Sequence, residues 1–372
     1  MPRFKIAVLP GDGVGNDVME ACMLVLDALE FDAEYIRGDI GWEFWCHEGN
    51  PLPDRTIELL RNTDACLFGA ITSMPKEEAV EALDPGLRDK DLVYFSPIVR
   101  LRQEFNLHTN LRPCKAFPGN PLNYREGIDL VVFRENTEGL YVGVEFHPVP
   151  QELMDALVKF NAKAKRFAAV PLDQMAISTR IFTDKGCRNI VTRAFAFAEE
   201  FGYKSVTVVE KPNVLRETSG MMVRIARQVK ENYPGVELWE ANIDAMTMWL
   251  LKNPLDYGVL VASNMFGDII SDLCAQLVGG LGFAASGNIG DNYAVFEPTH
   301  GSAPKYAGMY KVNPMATILA AKMMLDWLGE KEQATRIEIA VAKVIAEGKV
   351  LTYDMGGSAS TLEIAGAVAA AL

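Results

Sequence analysis

Arg102, Arg112 and Arg134 stand out in a chain of 372 residues whose 36 Lys and Arg face 49 Asp and Glu, a formal net charge of −13. So acidic a protein has no general reason to gather cations around Leu101 to Lys115 and again behind the apolar run 130–133. Guanidinium forks bind carboxylates bidentately, so a di- or tricarboxylate is a natural client. Taken one at a time, each arginine is equally served by a surface ion pair. What favours a site is that Arg134 runs on into Glu135-Asn136-Thr137-Glu138-Gly139-Leu140-Tyr141, at a strand end where α/β sheets bind ligands. A second candidate lies in Ser263 to Asp272, where Asp268 and Asp272 stand at i and i+4 on one helical face. Two like charges so placed repel unless something sits between them, and a hard divalent cation such as Mg2+ or Mn2+ takes oxygen ligands. The competing reading is that acidic residues in a first turn complement the helix dipole. It suits Asp268 better than Asp272.

The elements that must carry these side chains are legible as short apolar runs at 5–9, 65–68, 130–133, 206–209, 259–262 and 294–296, which read as strands, several buried on both faces. Helical periodicities lie between and around them, such as Val18, Cys22, Val25, Leu29 and Leu362, Ala365, Val368, Leu372. Alternation of this kind means an α/β protein, and the length allows roughly two domains. No repeat or Gly/Ser tether divides the chain. The candidate boundaries are Pro113 to Pro121, Phe146 to Gln151 and Gly279 to Gly290. The uncharged stretch Leu273 to Gly290 reaches the roughly 18 residues of a membrane span. Its five glycines, with Gln276, Ser286 and Asn288, make it read instead as a helix end followed by a flexible loop.

Several classes are excluded. The acidic balance argues against a nucleic-acid partner, whose phosphates need a basic field. Six scattered cysteines without a CxxC pair read as reduced thiols rather than a zinc site or a disulfide framework, and the N-terminus lacks an apolar signal core. A cytoplasmic location follows as the expectation. Gly11-Asp12-Gly13-Val14-Gly15 imitates a dinucleotide fingerprint, but its third glycine is misplaced and Asp12 stands where a pyrophosphate would approach. A tight strand-to-helix turn is the better reading.

With these residues assembled, the chain resembles the β-decarboxylating dehydrogenases, the family of isocitrate, 3-isopropylmalate, homoisocitrate and tartrate dehydrogenases. The likeness runs through Gly11 to Gly15, Leu101-Arg102, Asn110-Leu111-Arg112-Pro113, Arg134 to Glu138, Lys211 with Asn213, Asn264 to Asp272 and Glu297 to Pro304. It implies the two-domain α/β fold of that family with a non-Rossmann cofactor site. Residues 1–104 and 279–372 would form the large domain, and 105–278 the small one with an interlocking arm near 139–170. It further implies oxidation of a 2-hydroxy acid by hydride transfer to a nicotinamide, then loss of the carboxylate β to the new ketone. Arg102, Arg112, Arg134 and Asn213 would hold the substrate. Asp268, Asp272 and, from a second subunit, Asp244 would hold Mg2+ or Mn2+. Lys211, its pKa lowered by metal and arginines, would take the hydroxyl proton and Tyr141 would return one to carbon. Pro212 departs from the Ala or Gly usual between Lys211 and Asn213. Because Lys211 and Asp244 reach across an interface in such enzymes, the active unit would be a homodimer.

The resemblance also places the nucleotide against Thr72, Glu297, His300, Gly301, Ser302, Ala303, Lys305, Tyr306, Val312, Asn313 and Tyr353. Lys305-Tyr306 and Tyr353 match NADP-dependent isocitrate dehydrogenases, although the arginine expected four residues after Tyr353 is Gly357, so NADP is favoured with NAD as the alternative. Ser96 matches the serine that meets the third carboxylate of isocitrate, and Asn136-Thr137-Glu138 points the same way. Ile98 and Val99 instead make an apolar wall suited to an alkyl group. Isocitrate ranks first, 3-isopropylmalate second, homoisocitrate or tartrate after them. A non-catalytic regulatory subunit is the rival of another class, disfavoured because Tyr141, Lys211, Asp244, Asp268 and Asp272 are all retained.

Overall fold

The computed structural model describes residues 2–372. Among them the strands are β1 (Phe4–Gly11), β2 (Ala33–Arg37), β3 (Ala65–Ala70), β4 (Thr109–Lys115), β5 (Asp129–Glu135), β6 (Glu145–Phe146), β7 (Ile177–Ser178), β8 (Ser205–Glu210), β9 (Glu237–Asn242), β10 (Val259–Ala262), β11 (Ala285–Ile289) and β12 (Ala294–Pro298). Ten of them form one sheet in the order β2-β1-β3-β12-β11-β4-β5-β10-β8-β9, while β6 and β7 pair separately. The first four of that order are mutually parallel, and so are the last four. Between them β11 runs antiparallel to both its neighbours, as does β4. The two parallel halves therefore point in opposite directions.

Helices cover both faces of each half, which is why β3, β8 and β10 are buried at every residue and read as unbroken apolar runs. The helices Val14–Ala28, Met315–Trp327, Lys331–Glu347 and Thr361–Ala371 pack in one core with β1, β3 and β12. A second core sets the helices Asp184–Phe201 and Thr218–Lys230 against β5, β8 and β10. On the opposite face of those strands lie Asn264–Leu277 and Ile243–Lys252. Among the described residues no helix is long and apolar enough to cross a membrane, and all six cysteines are free thiols.

Two expectations need correction. Leu273 to Gly290 is not a helix end followed by a loop: the helix stops at Leu277 and β11, buried throughout, fills the middle of the sheet. Its Ala-Ser-Gly-Asn-Ile sequence lacks β-branched character because Ser286 and Asn288 are spent on buried polar partners. Pro113 marks no boundary either. It lies inside β4, opposite Val131, beyond the three residues over which β11 pairs with that strand, so a missing N–H is tolerated there.

Candidate active site

Arg134 ends β5, Arg112 lies on β4, and Arg102 lies on the helix Pro97–Glu104. All three are buried, and a buried guanidinium must be paired or hydrogen-bonded. Arg134 gives Nε and Nη2 to Asn264 Oδ1 at 3.0 and 2.8 Å and Nη1 to Asp268. Arg112 gives Nη1 to Ser271 Oγ at 2.8 Å and lies 3.3 Å from both Asp268 and Asp272. Arg102 meets Asn288 at 2.9 Å and Glu297 at 3.3 Å. Burial, with Arg112 and Arg102 alongside, pushes Arg134 down to about 9. Three cations so close want anions, and the chain supplies only part of what they can bind.

Asp268 and Asp272 share a helix face as the spacing requires. The helix begins at Asn264 and carries no acidic residue in its first turn, so dipole compensation does not account for Asp268. Gly267 lets the helix close on Arg134, since a side chain there would meet Arg134 Cβ and Cγ at 2.7 Å. Burial raises the Asp272 carboxyl, Arg112 opposes this, and Asp268 beside it adds to the rise. Hard oxygen donors held together at a like-charge cost are a fit for a divalent cation. Tyr141 lies on the loop after β5 and donates its hydroxyl to Asp268 Oδ2 at 3.0 Å, with Arg134 5.4 Å from its ring centroid. Burial and then Asp268 hold its phenol above the ordinary value, keeping it protonated.

Lys211 and Asp244 meet each other at 2.5 Å, and neither bonds to this cluster. No group of three metal-binding side chains is gathered among the described residues of the chain. Asn213 is exposed nearby. Ser96 precedes the helix Pro97–Glu104 as its N-cap without a side-chain capping bond, and Ile98 packs against the apolar cluster holding Leu101 and Leu107.

A cavity of about 590 Å³ is lined by His300, Gly301, Ala303, Tyr306, Val312, Asn313 and Tyr353, together with Val14, Asp354 and the 279–282 turn. Tyr306 and Tyr353 stack at its edge, their centroids 6.3 Å apart, and the Lys305 ammonium lies 5.9 Å from the Tyr306 ring. His300 sets Nδ1 against the Gly301 carbonyl, and its buried Nε2 has no partner. An orphaned ring nitrogen in such a cavity fits a nucleobase amine. Thr72, Ser302 and Glu297 stand outside the lining: the first two share a hydrogen bond of 2.7 Å and Glu297 belongs with Arg102. The missing arginine at Gly357 has a local cause, because a Cβ there would lie 2.0 Å from the Leu351 carbonyl oxygen. The 11–15 segment is a tight turn, its Asp12 carboxylate accepting from the Trp42 and Thr72 amides.

The arginine triad is visible in the sequence. The groups that hold it, Asn264, Ser271, Asn110 and Asn288, are not, and the one available signal is polar residues inside otherwise apolar strands and helices.

An open sheet with guanidiniums and paired carboxylates at its centre, beside a glycine-lined cavity, defines an α/β enzyme built for a small polyanion. The sequence profile of the isocitrate/isopropylmalate dehydrogenase family matches residues 5–368. "Protein DlpA" of Legionella pneumophila is 40% identical over 98% of the chain, which spans 58% of that protein. The 3-isopropylmalate dehydrogenase of Methanothermobacter thermautotrophicus is also 40% identical, over 99% of this chain and 98% of its own. The crystal structure of isocitrate dehydrogenase from Methylococcus capsulatus superimposes with a TM-score of 0.86 at 34% identity, covering 99% of both chains. The chain belongs to the isocitrate/isopropylmalate dehydrogenase family, and so to the nicotinamide-dependent β-decarboxylating dehydrogenases.

Proposed function

We propose that the chain carries out the metal-dependent oxidative decarboxylation of isocitrate to 2-oxoglutarate with reduction of NADP, NAD being the alternative nucleotide. The observation that carries this reading is the meeting of Arg102, Arg112 and Arg134 with Asp268, Asp272 and Tyr141 in one buried cluster. Asp268 and Asp272, with Asp244 of a second copy, would hold Mg2+ or Mn2+, which when bound supplies a Lewis acid to the substrate oxygen while the nicotinamide accepts the hydride. Substrate carboxylates would replace Asp268 and Asp272 on the guanidiniums, freeing both for the cation. Lys211 of the second copy takes the hydroxyl proton. After CO2 leaves, Tyr141, held protonated beside Asp268, returns a proton to carbon. Thr72, Glu297 and Ser302 would frame the nicotinamide end, and the 300–313 loop with Tyr353 the adenosine end.

A second reading, 3-isopropylmalate, is favoured by Ile98, whose apolar surroundings would desolvate a branched alkyl group. The test is turnover of isocitrate, 3-isopropylmalate, homoisocitrate and tartrate with each nucleotide, before and after exhaustive chelation. Isocitrate with NADP should give the highest kcat/KM, with activity lost on chelation and restored by Mn2+. Undiminished turnover after chelation removes the metal role. No turnover by the purified chain with any of the four identifies a regulatory subunit instead.

A further inference from the structure

Asn288 lies on β11 with no exposed surface, and its carboxamide is fully used. The side-chain oxygen accepts from Arg102 Nε at 2.9 Å, Asn110 Nδ2 at 2.8 Å and Asn136 Nδ2 at 2.9 Å. The nitrogen donates to Glu297 Oε1 at 2.7 Å and to the Val295 carbonyl at 3.4 Å. Three donors crowd one end of the amide and two acceptors the other, so only one orientation satisfies them all. Glu297 Oε1 also accepts from Arg102 Nη2 at 3.3 Å, which closes a ring of Arg102, Asn288 and Glu297. Two edges of the Arg102 guanidinium are thus committed inward. Its Nη1 makes no hydrogen bond within the described residues.

We propose that Asn288 is a positioning residue for Arg102: by fixing the Nε–Nη2 edge it decides that the Nη1 side is presented to a substrate carboxylate. This rests on the dehydrogenase reading of the site. The physics is orientation rather than charge, because a guanidinium binds a carboxylate well only when its fork lies in the plane of the incoming oxygens. Without Asn288, Arg102 keeps its charge and the Glu297 contact, yet can rotate about that contact.

A double-mutant cycle tests it. Asn288→Ala should raise KM for the preferred hydroxy acid about tenfold and leave kcat within about threefold, the pattern of lost ground-state binding. In an Arg102→Lys background the same change should alter kcat/KM by less than about twofold, since lysine has no Nε to be held. Asn288→Asp serves if the alanine variant does not fold. It keeps the shape and the acceptor but turns the Glu297 contact into a repulsion that drives Glu297 further onto Arg102. KM should then rise about fivefold in the otherwise unchanged chain and change by less than about twofold in the Arg102→Lys background. Equal losses in both backgrounds, or a lower melting temperature with KM unchanged, would show a structural hub and overturn the proposal while wild-type turnover leaves the dehydrogenase reading intact. Absence of wild-type turnover on every 3-substituted malate would overturn that reading and this proposal together.

Discussion

Tyr141 combines two functions that one substitution separates. Its ring lies under the Arg134 guanidinium and its hydroxyl bonds Asp268. Tyr141→Phe keeps the ring and removes the proton, so KM should stay within about threefold while kcat falls at least about 100-fold, the usual worth of a positioned general acid. Steady-state kinetics on the substrate chosen by the panel decides this, and an unchanged kcat would exclude the phenol as proton donor. At this scale the charged residues are legible because an acidic chain makes clustered arginines conspicuous. The neutral residues that orient them are not. Asn264 reaches Arg134 across 130 positions, Ser271 reaches Arg112 across 159, and Asn288 reaches Arg102 across 186. A lone Asn or Ser carries no local sign of a partner so remote.

Among the elements, strands buried on both faces announce themselves and the others do not. Val259 to Ala262 forms β10 with no change of limits, and 206–209 extends by one residue at each end. The half-exposed edge strands β2 and β9 carry mixed residues that periodicity does not separate from loop. Strand β4 hides behind its proline, and its exposed end is tied down by charge: Lys115 meets Glu338 of the helix Lys331–Glu347 at 2.5 Å, and Lys322 meets the same carboxylate at 3.1 Å. Burial alone would raise Glu338, but the two ammonium groups more than offset it and its pKa is lowered. A carboxyl depressed in the fold stabilises at pH above its unfolded value of about 4.5, and that contribution is lost as pH falls through the depressed value. Glu338→Gln should therefore cost about 1 kcal/mol at pH 7 and almost nothing near pH 3, measured by urea unfolding at both. An equal cost at the two pH values would show that the carboxylate charge is not what binds β4 to the helix.

At the scale of the molecule, Lys211 and Asp244 contact each other and make no bond to the cluster around Asp268. The proposed chemistry needs both groups, which is the argument for sites shared between two copies. Mixing a Lys211→Ala chain with a Tyr141→Phe chain after dissociation should regain about a quarter of wild-type activity, because half of the random pairs are mixed and each has one intact site. No recovery, with mixed pairs shown to form by mass spectrometry, would mean that each chain supplies its own lysine. The order of the strands has a further consequence for synthesis. Strand β3 has β1 on one side, but its other neighbour, β12, comes from residues 294–298, more than two hundred positions later. As the polypeptide leaves the ribosome, an apolar sheet edge at 65–70 must wait unpaired while β4, β5, β8, β9 and β10 already find one another. The middle of the chain can therefore mature first, and the nascent amino-terminal layer is where a chaperone would be needed and where aggregation would begin.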